Sequence, residues 1–180
     1  MKNLMFMVIA LMAPAWAVAA EDRANLNDAQ IAAIVVAANE IDIDAGKLAE
    51  SKSPNAEVKA FAHRMIAEHT DVNKQAVDLV TKLKITPEET TISKAMRSDA
   101  KRNLERLKKL TGKDFDKLYI SDEIAFHKQV IDTVDTKLLP NVRNDELKAL
   151  LVKVKPVLVS HQDQADKILS VLRETRYTDK

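Results

Sequence analysis

The 180-residue chain contains no cysteine, two Gly and one Trp. Each scarcity excludes something. Without cysteine there is no disulfide scaffold, no thiolate metal site, no cysteine nucleophile and no lipid-modified cysteine. Two glycines leave no Gly-rich loop to cradle a phosphate, which removes the P-loop and dinucleotide-binding readings. A dominant charge is also missing: 28 Lys+Arg stand against 27 Asp+Glu. That balance argues against a nucleic-acid partner held by phosphate neutralisation. What remains abundant is Ala, Leu, Lys and Glu, the residues that form helices most readily.

The N-terminus is set apart. Lys2 precedes an apolar run from Leu4 to Ala20, which ends Ala17-Val18-Ala19-Ala20 before the charged Glu21-Asp22-Arg23. A basic start, a short apolar centre and an A-x-A end are the three regions of a secretory signal peptide. Read as a retained anchor, the run would be 17 residues long and broken by Pro14, short of a usual span. The expectation is therefore a signal peptide over residues 1–20 and one domain over 21–180, in the periplasm or associated with the outer membrane. Cleavage before Ala20 or Glu21 would remove Lys2 and the only Trp and leave no membrane span. A domain of about 160 residues can bury roughly two-thirds of its unfolded surface. In an oxidising compartment it must do so without disulfides.

Caps and periodicity predict five helices and no strand. The first starts at Asn27, with Gln30 three residues on, and runs to about Lys52. Ser53-Pro54 is expected to cap and start the second. The Thr86-Pro87-Glu88-Glu89 stretch reads as a capping box opening the third, which ends near Gly112. Asp114 should cap the fourth, running to about Leu139, and Asn144 should open the fifth. Short connections make neighbours antiparallel. The expected fold is all-α: a ferritin-like four-helix bundle of the first, second, fourth and fifth helices. The third helix carries the chain back along the outside as an additional crossover. A plain five-helix up-and-down array is the alternative.

At 100° per residue, helix phase tests each histidine. His69, His127 and His161 fall on or beside the apolar stripes of three different helices, whereas His63 points away. In the crossover arrangement these three, with Asp42 and Glu123, fall within about seven residues of one height, roughly 10 Å at 1.5 Å per residue. Such a layer has two readings. Neutral buried histidines bonded to partners such as Tyr119 or Asp42 would simply fix the bundle. Alternatively, His69, His127 and His161 with an acid from Asp42 or Glu123 would hold a divalent transition metal, Zn, Fe, Cu or Ni. The Glu-x-x-His pair of di-iron carboxylate bundles is absent. Glu123 and His127 are four apart and Glu68 is adjacent to His69, which argues against iron storage or oxygen activation. Pro156, inside the fifth helix, frees the carbonyl of Val152 and should bend that helix around the core. The third helix, over 87–112, is rich in Lys and Arg. It reads as a solvated face or as a peripheral contact with anionic envelope components.

The residues also resemble a family. Asp42-Ile43-x-x-Gly46-x-Leu48-Ala49, Val58-Lys59-x-Phe61-Ala62-x-x-Met65-x-x-Glu68-His69, Phe115-Asp116-x-x-Tyr119 with His127, and Pro156-x-Leu158-x-x-His161 stand in order. In this the chain resembles the exported bacterial domain-of-unknown-function family 4142, over about residues 28–173. Asp42 stands where the family usually has Glu, and Glu68 where it usually has Asp. The resemblance implies a ferritin-like fold, a periplasmic or outer-membrane setting, and retention of His69, His127 and His161 but not His63. It implies no reaction. Two functions follow as expectations: a non-enzymatic envelope protein that binds a partner or serves under stress, or a metal- or cofactor-binding bundle.

Overall fold

The computed structural model describes residues 25–174, so the expected signal peptide lies outside the described residues. The protein is all-helical there, with no strand among the described residues. No described helix is long and apolar enough to cross a membrane.

Helix α1 spans Asp28–Lys52. It opens as the sequence predicts: Gln30 N donates to Asn27 Oδ1 at 2.9 Å and Asn27 N donates to Gln30 Oε1 at 3.1 Å, satisfying two of the helix's otherwise unpaired donors. Helix α2 spans Ala56–Lys82, and here the expected cap shifts. Asn55, not Ser53, takes the first amides, with Glu57 N and Val58 N donating to Oδ1 at 2.9 and 3.2 Å. Pro54 therefore lies in the turn. The Ser53 hydroxyl is drawn instead to the Asp116 carboxylate, donating to Oδ1 at 2.6 Å.

Helix α3 spans Thr91–Lys108, shorter than expected, and its capping box is Thr90 with Ser93. Two Thr-x-x-acceptor patterns stand one after the other in this stretch. The first, at Thr86 and Glu89, loses because residues 85–90 run without helix and Glu88 N donates to Ala29 O at 3.0 Å. Helix α4 spans Gly112–Thr133, and its N-cap is Thr111, three residues ahead of the expected Asp114. Gly112 takes φ +57°, a conformation that glycine tolerates without a Cβ clash. A π-turn over Val134–Leu138 ends α4, with Leu139 N donating to Val134 O at 2.9 Å. Helix α5 spans Asp145–Glu174 and continues through an exposed Pro156. Asn144 caps it as expected, accepting from Glu146 N and Leu147 N, each at 3.0 Å.

Paired residues give the directions. Asn39 meets His69 and Glu50 meets His63, so α1 and α2 are antiparallel. Lys155 meets Asp135 and His161 meets His127, so α4 and α5 are antiparallel. Lys82 meets Glu146 and Arg64 meets Gln164, so α2 and α5 are antiparallel. Helices α2 and α4 therefore run parallel, and α3 packs on α1 and α4.

Two apolar clusters fill the interior. One gathers Phe61, Met65, Phe115, Tyr119, Ile120 and Leu169; the other gathers Ile31, Ile34, Met96, Val134, Leu138 and Leu151. On α1, α2, α4 and α5 the stretch between the two clusters carries buried polar residues: Asp42, His69, Glu123 with His127, and His161. A buried polar layer thus separates two greasy ends.

Candidate functional site

Each of the four helices sends at least one polar side chain into that layer. Asn39 and Asp42 share a face of α1, His69 comes from α2, Glu123 and His127 from α4, and His161 from α5. All six are buried. The imidazole rings of His69, His127 and His161 form a near-equilateral set, with centroids 5.6, 5.2 and 5.2 Å apart. His63 sits outside on an exposed face, its Nδ1 3.0 Å from Glu50.

The partners fix which nitrogen carries each proton. His127 Nδ1 is 3.0 Å from the Glu123 carbonyl, which can only accept, so Nδ1–H donates. His161 Nε2 is 2.7 Å from a Glu68 carboxylate oxygen, so Nε2–H donates. His69 Nδ1 is 2.9 Å from Asn39 Oδ1, and the Asn39 amide nitrogen is committed to Val35 O at 2.9 Å, so Nδ1–H donates here too. Each neutral ring therefore has one lone pair left: on His69 Nε2, His127 Nε2 and His161 Nδ1. Two of these, on His127 and His161, are 3.2 Å apart. Two acceptors at that distance form no hydrogen bond while both rings are neutral. The third, His69 Nε2, is buried with no hydrogen-bond partner.

The electrostatics keep the rings neutral. Burial, then the neighbouring rings, pushes His69 well below its ordinary value. Burial and His161 push His127 down to about 4, against the hydrogen bond to the Glu123 backbone. Burial also lowers His161, although Glu68 opposes it. Glu68 itself is pushed up by burial, but hydrogen bonds from Arg64 and His161 outweigh that and hold it below its ordinary value. Arg64 grips it at 2.7 Å.

The acids behave oppositely. Burial, then the charge of Glu123, holds Asp42 well above its ordinary value. Burial pushes Glu123 up to about 7, with Asp42 and Tyr119 opposing and Asp122 adding to it. Asp42 Oδ2 lies 3.4 Å from His69 Nε2 and Glu123 Oε2 lies 3.5 Å from His127 Nδ1. The Tyr119 hydroxyl faces this pair without a well-formed hydrogen bond.

Two ligand-capable sets result, sharing His127. One is His69, His127 and His161; the other is Asp42, Glu123 and His127. Within each, the donor atoms lie within 4.8 Å of one another. Imidazole nitrogens bind zinc at about 2.0–2.1 Å, so tetrahedral ligands sit about 3.3 Å apart. The 3.2 Å between His127 and His161 and the 3.4 Å between His69 and Asp42 match that edge. The N–H of each ring is anchored on a carbonyl or carboxylate, the arrangement that orients metal-binding histidines.

All five residues singled out from the sequence therefore meet in one layer. Glu68, Arg64 and Asn39 complete it and were not singled out. Asn39 carried a signal, a polar residue one turn before Asp42 on the same face. Arg64 and Glu68 carried a weaker one, an i,i+4 ion pair rotated off the stripe.

The family model described as Domain of unknown function (DUF4142) matches residues 13–168. The chain belongs to this family. The DUF4142 match spans α1, α2, α3, α4 and most of α5, and so includes every residue of the layer. No curated protein and no solved structure matches the chain.

Proposed function

We propose that this DUF4142 protein is an exported, periplasmic metal-binding protein with a ferritin-like four-helix bundle, α3 being the additional crossover helix. The antiparallel pairs, the parallel α2 and α4, and the polar layer between two apolar clusters support that bundle. The N-terminal three-region pattern supports export.

One observation carries the metal reading. Three buried imidazoles, held by Asn39, Glu123 and Glu68, present three lone pairs to one space, and the facing Asp42 carboxyl, 3.4 Å from His69 Nε2, is too far for a well-formed hydrogen bond. Buried polar atoms are ordinarily hydrogen-bonded. A purely structural histidine cluster would have paired them, for example by donating His127 Nε2–H to His161. A transition ion satisfies all three at once. His69, His127 and His161 are the proposed ligands, and Asp42 is the acid placed to join them. The donor set is nitrogen-rich and thiolate-free, which suits Zn, Cu, Ni or Fe. Glu123 steadies Asp42, and Glu68 steadies His161.

The test is elemental analysis of protein purified from the periplasm, with thermal unfolding before and after adding Zn, Cu, Ni or Fe. The expected result is close to one ion per chain and a raised melting temperature, since a ligand that binds only the folded state stabilises it. Fewer than about 0.1 ion per chain together with no thermal shift from any of the four ions would remove the proposal.

A further inference from the structure

A cavity of about 40 Å³ lies between α1, α2, α4 with its π-turn, and α5. Its walls are aliphatic, among them Ile34, Val134, Leu151 and Leu158. Asn39, Asp42 and His69 also line it, so it borders the histidine layer.

Its polar groups decide what it can hold. Thr133 Oγ1 donates to Gln129 O at 2.8 Å. Asn39 is committed to Val35 O and His69 Nδ1. Asp42 is turned to Glu123 and to His69. Only His69 Nε2 is left without a well-formed hydrogen bond. A buried water needs about two to four polar partners, so one lone pair among aliphatic walls does not hold it. No Lys or Arg lines the cavity, so a hydroxide or another anion would be buried there without a cation. Size narrows the occupant further. An apolar cavity of about 150 Å³ takes the six heavy atoms of benzene, so one of about 40 Å³ admits about two.

The metal layer supplies the other half of the site. A tetrahedral ion on His69, His127 and His161 keeps a fourth position. Asp42, 3.4 Å from His69 Nε2, faces that position, and both residues border the cavity. A molecule standing in the cavity therefore competes with Asp42 for the ion.

We propose that the ion's fourth position takes a neutral diatomic molecule from this cavity, one of the carbon monoxide class with two heavy atoms, no charge and a donor lone pair. The step is a coordinate bond: the ligand's lone pair fills the empty position, and no electron or proton is transferred. The site is then a gas-binding centre rather than one that hydrolyses with a metal-bound hydroxide. The proposal rests on the metal reading.

The test is anaerobic loading of the full, chelator-treated chain with Cu(I), which imidazole ligands suit, followed by a count of copper per chain and infrared titration with carbon monoxide. NMR of the chelator-treated chain under xenon reads the cavity without any ion. The expected results are one copper per chain, a single saturable carbonyl stretch, and xenon-induced shifts of the Ile34 and Leu151 methyl groups. Ala38 lines the cavity and is not a ligand, so Ala38→Val should keep the copper, weaken carbon monoxide by about tenfold or more and remove the xenon shifts. Copper bound without a carbonyl stretch, or carbon monoxide held as tightly by Ala38→Val, overturns the proposal and leaves the metal reading standing. Absent xenon shifts in the parent overturn it as well. A chain that takes up no copper also overturns it, and the elemental analysis above then decides the metal reading by itself. Should Ala38→Val fail to fold, the parent's carbonyl stretch and xenon shifts still decide.

Discussion

His63 and His161 are the same residue type in opposite settings, and the contrast is measurable. His63 is exposed and touches only Glu50, whereas His161 is 1% exposed and joins His127 to Glu68. In urea unfolding of metal-free protein, His63→Ala should change stability by less than about 0.5 kcal/mol and His161→Ala should cost about 1–3 kcal/mol. Equal losses would contradict the assigned helix phases. Acid–base behaviour gives a second residue-scale test. Imidazoles titrate near 6.5 when unperturbed, but folded His127 does so at about 4. Between those values the unfolded chain holds protons that the folded core refuses. The histidine contribution is therefore complete above about pH 6.5 and is lost as pH falls through 4. Glu123 acts with the opposite sign. Its ordinary value is 4.5 and its folded value about 7, so its contribution is complete below 4.5 and is lost as pH rises through 7. Glu123→Gln in the chelator-treated protein should remove that alkaline loss, on the order of 3 kcal/mol relative to the parent between those limits. Parallel stability–pH curves for the two proteins would contradict it. The five clustered residues were legible because 100° per residue assigns each side chain a face. The tautomers and the parts played by Glu68, Asn39 and Arg64 were not. They depend on the reach of side chains across helix pairs, which phase alone does not give.

Gly46 shows how tightly α1 and α2 approach. A Cβ there would lie 2.9 Å from Ile66 Cγ1 and 3.1 Å from the Ala62 carbonyl oxygen. The Ile66 side chain can swing away, but the Ala62 backbone cannot. Gly46→Ala gains up to about 1 kcal/mol of helix propensity and loses about 1–3 kcal/mol to overpacking. The net expectation is a lower thermal midpoint with unchanged helical content; a raised midpoint would show that the helices can separate freely. The helices themselves were readable from the sequence, and so were the caps at Asn27 and Asn144. The errors are confined to residues 53–56, 86–91 and 108–114. In each stretch several cap-capable residues stand close together, and in the first two tertiary contacts choose among them. Ser53 is claimed by Asp116, and Glu88 is claimed by the Ala29 carbonyl. The basic face expected of the third helix is also partly neutralised within the fold: Arg97 pairs with Glu40, Arg102 with Asp99 and Lys108 with Glu105.

Across the whole molecule, a cysteine-free chain builds two apolar clusters and interrupts them with a layer of three histidines and two acids. Burying that many ionisable groups costs stability unless they are paired. Metal-free, the layer meets the cost by holding its rings neutral and pushing Asp42 and Glu123 above their ordinary values, and it still leaves His69 Nε2 and Glu123 Oε2 without well-formed hydrogen bonds. A bound ion would remove the first deficit and ionise Asp42 on joining the imidazoles. Calorimetric titration of chelator-treated protein with Zn²⁺, in parallel with His127→Ala, tests this most directly, because His127 belongs to both ligand-capable sets. The expected result is one ion per chain for the parent and an affinity lower by about 100-fold or more in His127→Ala, the loss typical of removing a first ligand or its support. Absence of saturable Zn²⁺ binding to the parent, or an unchanged affinity in His127→Ala, would contradict a metal centre in this layer.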